Sequence, residues 1–368
     1  MKFSEAKAFI EGVTTYNLDQ LQANLAHGRT RASDFVIPML EGDPGVGKTA
    51  IPQAAARTLE LDYGQAIVAQ YDAGELAGIP FIKSVEREEI NDEGEVITVK
   101  DDVLFRQRPD WMPNFDIGLF NLDELVQAFL ANQNVCSQFV NEYRVGHHAI
   151  SHGITVVCTG NKASNKAGTT TMPTHLRDRL LFLTIEADGP EFIEYAAEKG
   201  LDPRVRAYIR QYPQHLAQFD ATAQACPSPR SWEKASSILR IFDKMAGSPQ
   251  SIRLRALIGQ LGEGEATQFD QWLRVEKELP DPDSVIADPK TAPVFKPDKA
   301  SILYLLLASL ADKATPKNIG NILTYLRRLP NAEFQAYCGQ DILRSKKEVV
   351  KTPEFRKWMM QEGVALRL

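Results

Sequence analysis

Cysteine is scarce: Cys136, Cys158, Cys226 and Cys338 are scattered through 368 residues without C-x-x-C spacing. That excludes a disulfide framework and a cysteine-rich zinc site, and it suits reduced, buried thiols in a cytoplasmic compartment. Long hydrophobic runs are also missing. Ile302 to Ala311, interrupted by Tyr304 and Ser309, falls short of the ~18 apolar residues a membrane span needs, so no membrane partner is expected. The opening Met1-Lys2-Phe3-Ser4-Glu5-Ala6-Lys7 lacks the apolar core of a signal peptide. There is no basic excess, with 42 Lys and Arg against 48 Asp and Glu, a formal net charge of -6. A hydrophobic content of 43% is enough for two or three packed units.

What is present begins with Gly42-Asp43-Pro44-Gly45-Val46-Gly47-Lys48-Thr49, which fits G-x-x-x-x-G-K-[S/T] and points to a nucleoside triphosphate. A polyanion needs donors packed closer than side chains allow. Glycines let the backbone N–H groups turn inward, and the following helix adds its positive N-terminal dipole. Lys48 then reaches the β and γ oxygens, Thr49 supplies a hydroxyl to Mg2+, and Ala50 completes the nucleotide-contacting stretch. The apolar run 35–40 precedes the loop and the helix-favouring run 53–59 follows it, giving strand, loop, helix. Pro38 falls early in the strand, where its missing donor costs a ladder bond well before the loop.

Ile117-Gly118-Leu119-Phe120-Asn121-Leu122-Asp123-Glu124 reads as an apolar strand ending in two carboxylates. Asp123 can hold Mg2+ and Glu124 can orient or deprotonate a water for attack on the γ-phosphate. Taken alone, such a pair is an ordinary acidic helix start. Period-2 alternation places Asn121 on the Asp123 face. The run 154–159 ends at Gly160-Asn161, where the amide can touch the γ-phosphate or the attacking water; a turn-forming Gly-Asn is the plain alternative. Arg177 and Arg179 stand just before the last apolar run, as a solvated helix end or as arginine fingers for a neighbouring subunit's site. Ser228-Pro229-Arg230 reads as an N-cap, a first-turn proline and an arginine that can reach back to phosphates.

The strand candidates are 35–40, 66–71, 116–122, 154–159 and 181–185; beyond about Pro190 helical periodicity takes over. In this order the loop, Asp123-Glu124, Asn161, Arg177 and Arg179, and Arg230 resemble the AAA+ ATPases. Arg144-Val145-Gly146-His147-His148 leading into Val156-Val157-Cys158-Thr159-Gly160-Asn161, with Leu176-Arg177-Asp178-Arg179-Leu180, looks most like their MoxR-like branch. The resemblance is specific over about residues 10–245. It implies an α/β fold, a parallel P-loop sheet sandwiched by helices, then a helical lid and a helical C-terminal region. The expected division is 1–189 for the nucleotide-binding domain, 190–250 for the lid, 251–298 for a helical segment with a Pro- and Asp-rich connector, and 299–368 for the tail. It also implies ATP and Mg2+ as cofactors and a homo-oligomeric ring, usually a hexamer. Such proteins are chaperone-like remodellers, often with a separate partner bearing a von Willebrand A domain; no D-x-S-x-S signature of that domain is apparent in this chain.

The long interval between Lys48 and Asp123 leaves room for an insertion at about 78–109, read as a β-hairpin. From Glu86 to Asp102 it carries eight acids and two bases, matching the net charge of the whole chain. An acidic insert is a poor grip for nucleic acid, which favours a protein substrate, though a solvated hairpin with no partner fits equally. His147, His148 and His152 lack a companion set of cysteine or carboxylate ligands and read as surface histidines. Two other classes stay open: a nucleic-acid-dependent ring motor of restriction type and a P-loop kinase.

Overall fold

A computed structural model describes residues 1–26, 35–90, 94, 96–162, 171–245, 250–295 and 299–363. Its strands are β1 (Pro38–Gly42), β2 (Asp62–Ile67), β3 (Pro80–Ile90), β4 (Val96–Arg106), β5 (Ile117–Asp123), β6 (Arg144–Val145), β7 (His148–Ala149), β8 (Gly153–Asn161) and β9 (Leu181–Ile185). The helices of the first half are α1 (Phe3–Ala26), α2 (Ala50–Leu59), α3 (Ala73–Ala77), α4 (Leu130–Glu142) and α5 (Thr174–Arg177). Contacts divide the chain into two compact units, Met1–Asp43 with Gly47–Glu186, and Pro44–Val46 with Ala187–Leu368.

The first unit is the expected α/β architecture: a five-stranded sheet in the order β2-β5-β8-β1-β9, every described pairing parallel. Central β8 is buried along nearly its whole length, as a strand with both faces covered must be, which is why it reads as a continuous apolar run. Its register sets Gly42 opposite Asn161 and Leu122 opposite Cys158, so β1, β5 and β8 end side by side. Ligands of open parallel sheets bind beyond such carboxyl ends.

Two strands lie elsewhere than the apolar runs suggested. Expected at 35–40, β1 begins at Pro38, where a missing N–H loses only a terminal bond; Phe35 and Ile37 are buried ahead of it. Expected at 66–71, β2 is Asp62–Ile67, and Val68–Gln70 is a 3-10 turn. The polar start of β2 pairs with β5 because Gly64 admits the rings of Phe120 and Phe115, which a Cβ would meet at 2.8 and 3.1 Å.

The insertion is an antiparallel hairpin in which β3 pairs with β4 from Pro80↔Arg106 to Ile90↔Val96, mostly exposed on both faces. A small hairpin of β6 and β7 meets its base: His148 Nε2 lies 2.8 Å from the Arg106 carbonyl, and the His147 ring stands edge-on to Phe105. His152 stacks on Tyr143. These contacts place the three histidines in packing roles, and among the described residues no group of three His, Cys, Asp or Glu could hold a metal ion.

The second unit is helical: α6 (Gly189–Glu198), α7 (Pro203–Gln211), α8 (Pro229–Lys244), α9 (Gln250–Leu261), α10 (Glu263–Trp272), α11 (Pro282–Ala287), α12 (Ala300–Asp312), α13 (Ile319–Leu326), α14 (Ala332–Ser345), α15 (Lys347–Val350) and α16 (Pro353–Trp358). One core gathers around Tyr208, Trp232 and Phe269, another around Leu306, Tyr325 and Trp358. Buried Asp341 accepts from both Arg206 (3.0 Å) and Arg210 (2.5 Å), joining α7 to α14. The Pro- and Asp-rich stretch is not irregular throughout: Asp281 caps α11, which buries Val285. No helix among the described residues is long and apolar enough to cross a membrane.

Candidate nucleotide site

The loop after β1 turns twice through the left-handed region, at Gly45 (φ 82°) and Gly47 (φ 93°), where a side chain would be strained. Lys48 follows and is nearly buried. Its ammonium donates to the carbonyls of Gly42 (3.0 Å) and Asp43 (2.8 Å) and to Asn161 Oδ1 (3.0 Å), tying the loop to the end of β8. Asn161 is fixed from behind, its backbone N–H donating to Gln127 Oε1 at 3.3 Å. Lys162, next in sequence, lies 3.8 Å from Asp43. Burial raises the Glu41 carboxyl above its ordinary range and the Lys162 charge opposes it.

Thr49 is the residue before α2, and its hydroxyl makes no helix cap. It points instead to Asp123, 3.1 Å from Oδ2 and 3.3 Å from Oδ1. Asp123 also accepts from Gln65 Nε2 (3.1 Å), from the Glu124 backbone N–H (3.0 Å) and from the Thr159 hydroxyl, which lies 3.3 Å from Asn121 Oδ1 as well. Asn121 is fully buried on the Asp123 face of β5. Glu124 is exposed and holds φ 55°, ψ 32°, a left-handed conformation that is costly for a residue with a Cβ. Strain of this kind, of order 1 kcal/mol or more, persists where the surroundings impose it. Here the chain leaves β5 and turns at once into the 3-10 helix Leu125–Gln127.

One hydroxyl and one carboxylate, both hard oxygen donors about 3 Å apart, fit Mg2+, which takes few protein ligands and completes its shell with water and phosphate oxygens. The structure therefore brings together Gly42, Asp43, Gly47, Lys48, Thr49, Ala50, Asp123, Glu124 and Asn161 in the first unit. Arg177 and Arg179 are exposed at the end of α5, with no side-chain partner among the described residues. Arg230 is exposed in the first turn of α8, behind a capping box formed by Ser228 and Ser231, and belongs to the second unit, as do Pro44, Gly45 and Val46. Thr159, Gln65 and Gln127 escaped the sequence reading. Thr159 carried one signal, a hydroxyl at the end of a mostly apolar run, two residues before Asn161; Gln65 carried none, because its strand was placed four residues too late.

No family model matches the chain, and no curated protein matches it. Among solved structures, a RuvB mutant from Thermotoga maritima is similar over 82% of this chain and 82% of its own, at 15% identity and a TM-score of 0.32. Another Thermotoga maritima RuvB structure, described as a Holliday junction branch migration motor, is similar over 82% of this chain and 81% of its own, at 13% identity and a TM-score of 0.36. NtrX from Brucella abortus is similar over 90% of this chain at 12% identity and a TM-score of 0.37, and the match spans 64% of the NtrX chain.

Proposed function

We propose that the chain is an AAA+ ATPase of MoxR type, working as a homo-oligomeric ring that turns ATP hydrolysis into remodelling of a protein partner. The observation that carries the nucleotide reading is the convergence on Asp123 and Asn161: the loop's Thr49 bonds to the first and its Lys48 to the second, although the three segments are far apart in sequence. Mg2+, when bound, would neutralise charge on the β and γ phosphates. Lys48 neutralises further charge from the loop side. The Asn161 side chain is held by Lys48, and its backbone N–H by Gln127. Glu124, exposed beside Asp123, is the group free to take a proton from an attacking water.

In this reading Arg177 and Arg179 act on a neighbouring copy's site, and Arg230 acts from the lid. Partner choice follows from the insertion, where acidic side chains dominate a hairpin exposed on both faces. Such a surface repels phosphate backbones and accommodates a polypeptide, with a von Willebrand A domain protein as a further candidate partner. The scattered cysteines, with no C-x-x-C spacing, favour a cytoplasmic setting for these events.

The test is nucleotide binding and phosphate release by the wild type, Lys48→Ala and Glu124→Gln. The wild type should hydrolyse ATP in the presence of Mg2+, Glu124→Gln should bind ATP but release at most about 1% as much phosphate, the scale of a lost general base, and Lys48→Ala should bind poorly. A wild-type chain that binds no ATP at millimolar concentration would sink the reading.

A further inference from the structure

We propose that Gln65 is a positioning residue for the cation-holding carboxylate, fixing the orientation of Asp123 through a one-way chain of hydrogen bonds that starts at Tyr63. The proposal rests on the nucleotide reading above. Tyr63 and Gln65, two residues apart, share a face of β2, the edge strand, and Gln65 lies in register with Asn121, two residues before Asp123. The Tyr63 hydroxyl donates to Gln65 Oε1 at 3.0 Å, and Gln65 Nε2 donates to Asp123 Oδ2 at 3.1 Å.

The direction of this chain is forced. An ionised carboxylate only accepts, so the amide nitrogen must face Asp123, which turns the amide oxygen toward Tyr63 and requires the phenol to donate. Burial pushes that phenol up to about 12, with the Asn121 side chain opposing and the Asp123 charge adding, so it keeps its proton at neutral pH.

The two oxygens of Asp123 are not held alike. Oδ1 receives Thr159, the Glu124 N–H and Thr49, whereas Oδ2 receives only Thr49 and Gln65 among the described side chains. Thr49 is the hydroxyl that the loop pattern commits to the cation. Once it is so committed, Gln65 is what holds Oδ2. Outer-sphere partners of this kind change metal affinity by about 10- to 100-fold, and because Gln65 is exposed on an edge strand the low end applies.

The experiment titrates Mg2+ against N-methylanthraniloyl-ATP bound to the full chain, and separately measures affinity for the same analogue in EDTA. Gln65→Ala should raise the Mg2+ concentration at half-saturation about tenfold and leave the EDTA affinity unchanged. Gln65→Asn, whose shorter amide cannot span the gap, should behave like Gln65→Ala. Tyr63→Phe should shift the half-saturation by a smaller factor, and adding it to Gln65→Ala should change nothing further, since the two residues act in series. A half-saturation equal to wild type in Gln65→Ala overturns the proposal, as does a Tyr63→Phe effect that adds in full to that of Gln65→Ala. If the wild type fails to bind the analogue even without Mg2+, the nucleotide reading itself falls and the proposal falls with it.

Discussion

Replacing Arg177 and Arg179 together by Ala separates a shared site from a self-sufficient one. Both guanidinium groups are exposed and have no side-chain partner among the described residues, so their loss should leave the fold within ~0.5 kcal/mol of wild type. The thermal midpoint should then move by no more than ~2 °C. Turnover is a different matter: an arginine supplied in trans contributes roughly 10³- to 10⁵-fold, which at about 1.4 kcal/mol per tenfold is about 4 to 7 kcal/mol of barrier. The double variant should be nearly inactive yet normally folded. In the proposed head-to-tail ring, each seam would take Glu124 from one copy and a guanidinium from the next. If the double arginine variant and Glu124→Gln are mixed 1:1 below the assembly concentration and then concentrated, about one seam in four pairs an intact glutamate with an intact arginine. Phosphate release should recover to roughly a quarter of wild type, although each variant alone is close to zero. Full turnover by the double variant, or no recovery in the mixed assembly, would refute the shared site.

Gly118→Ala should destabilise the first unit by about 2 to 3 kcal/mol, because the added Cβ would fall 2.4 Å from the Asp62 carbonyl and 2.7 Å from the Phe115 ring; an unchanged urea midpoint would contradict the β2–β5 packing. His152 is held below its usual 6.5 by burial, so the unfolded chain takes up the proton first. Its contribution to stability is therefore complete above the unfolded pKa and is lost as pH falls below it, and His152→Gln should flatten the decline in thermal midpoint between about pH 7.5 and 5.5.

The loop could be read directly because phosphate binding forces scarce residue types into fixed spacing, and all of its residues are contiguous. Asp123 and Glu124 could be read nearly as well, since an apolar strand that ends in two acids leaves a local trace. The 3-10 turn after Ile67 left none. Ala66 to Tyr71 is more apolar than Asp62 to Gln65, and pattern alone moves the strand toward the apolar end. What decides the matter is a pairing with β5, whose Phe120 lies against Gly64, and β5 is more than fifty residues away. Local preference yields to long-range packing in this way wherever a small residue makes room for a large one.

The polar network shows the same limit more sharply, because it runs across strands and not along any of them. Gln65 on β2, Asn121 and Asp123 on β5, Thr159 on β8 and Gly42 at the end of β1 form a row over four neighbouring strands. In β5 and β8 the polar residues of this row are too few to stand out against the apolar majority. Leu122 opposite Cys158 brings Thr159 level with Asp123, and Gln65 opposite Asn121 brings the amide within reach of the same carboxylate. A one-residue slip of β2 would turn Gln65 to the other face and leave Asp123 Oδ2 to Thr49 alone, since side chains alternate strictly along a strand. The strand order thus selects which polar residues meet, and the register selects which atoms of Asp123 they hold.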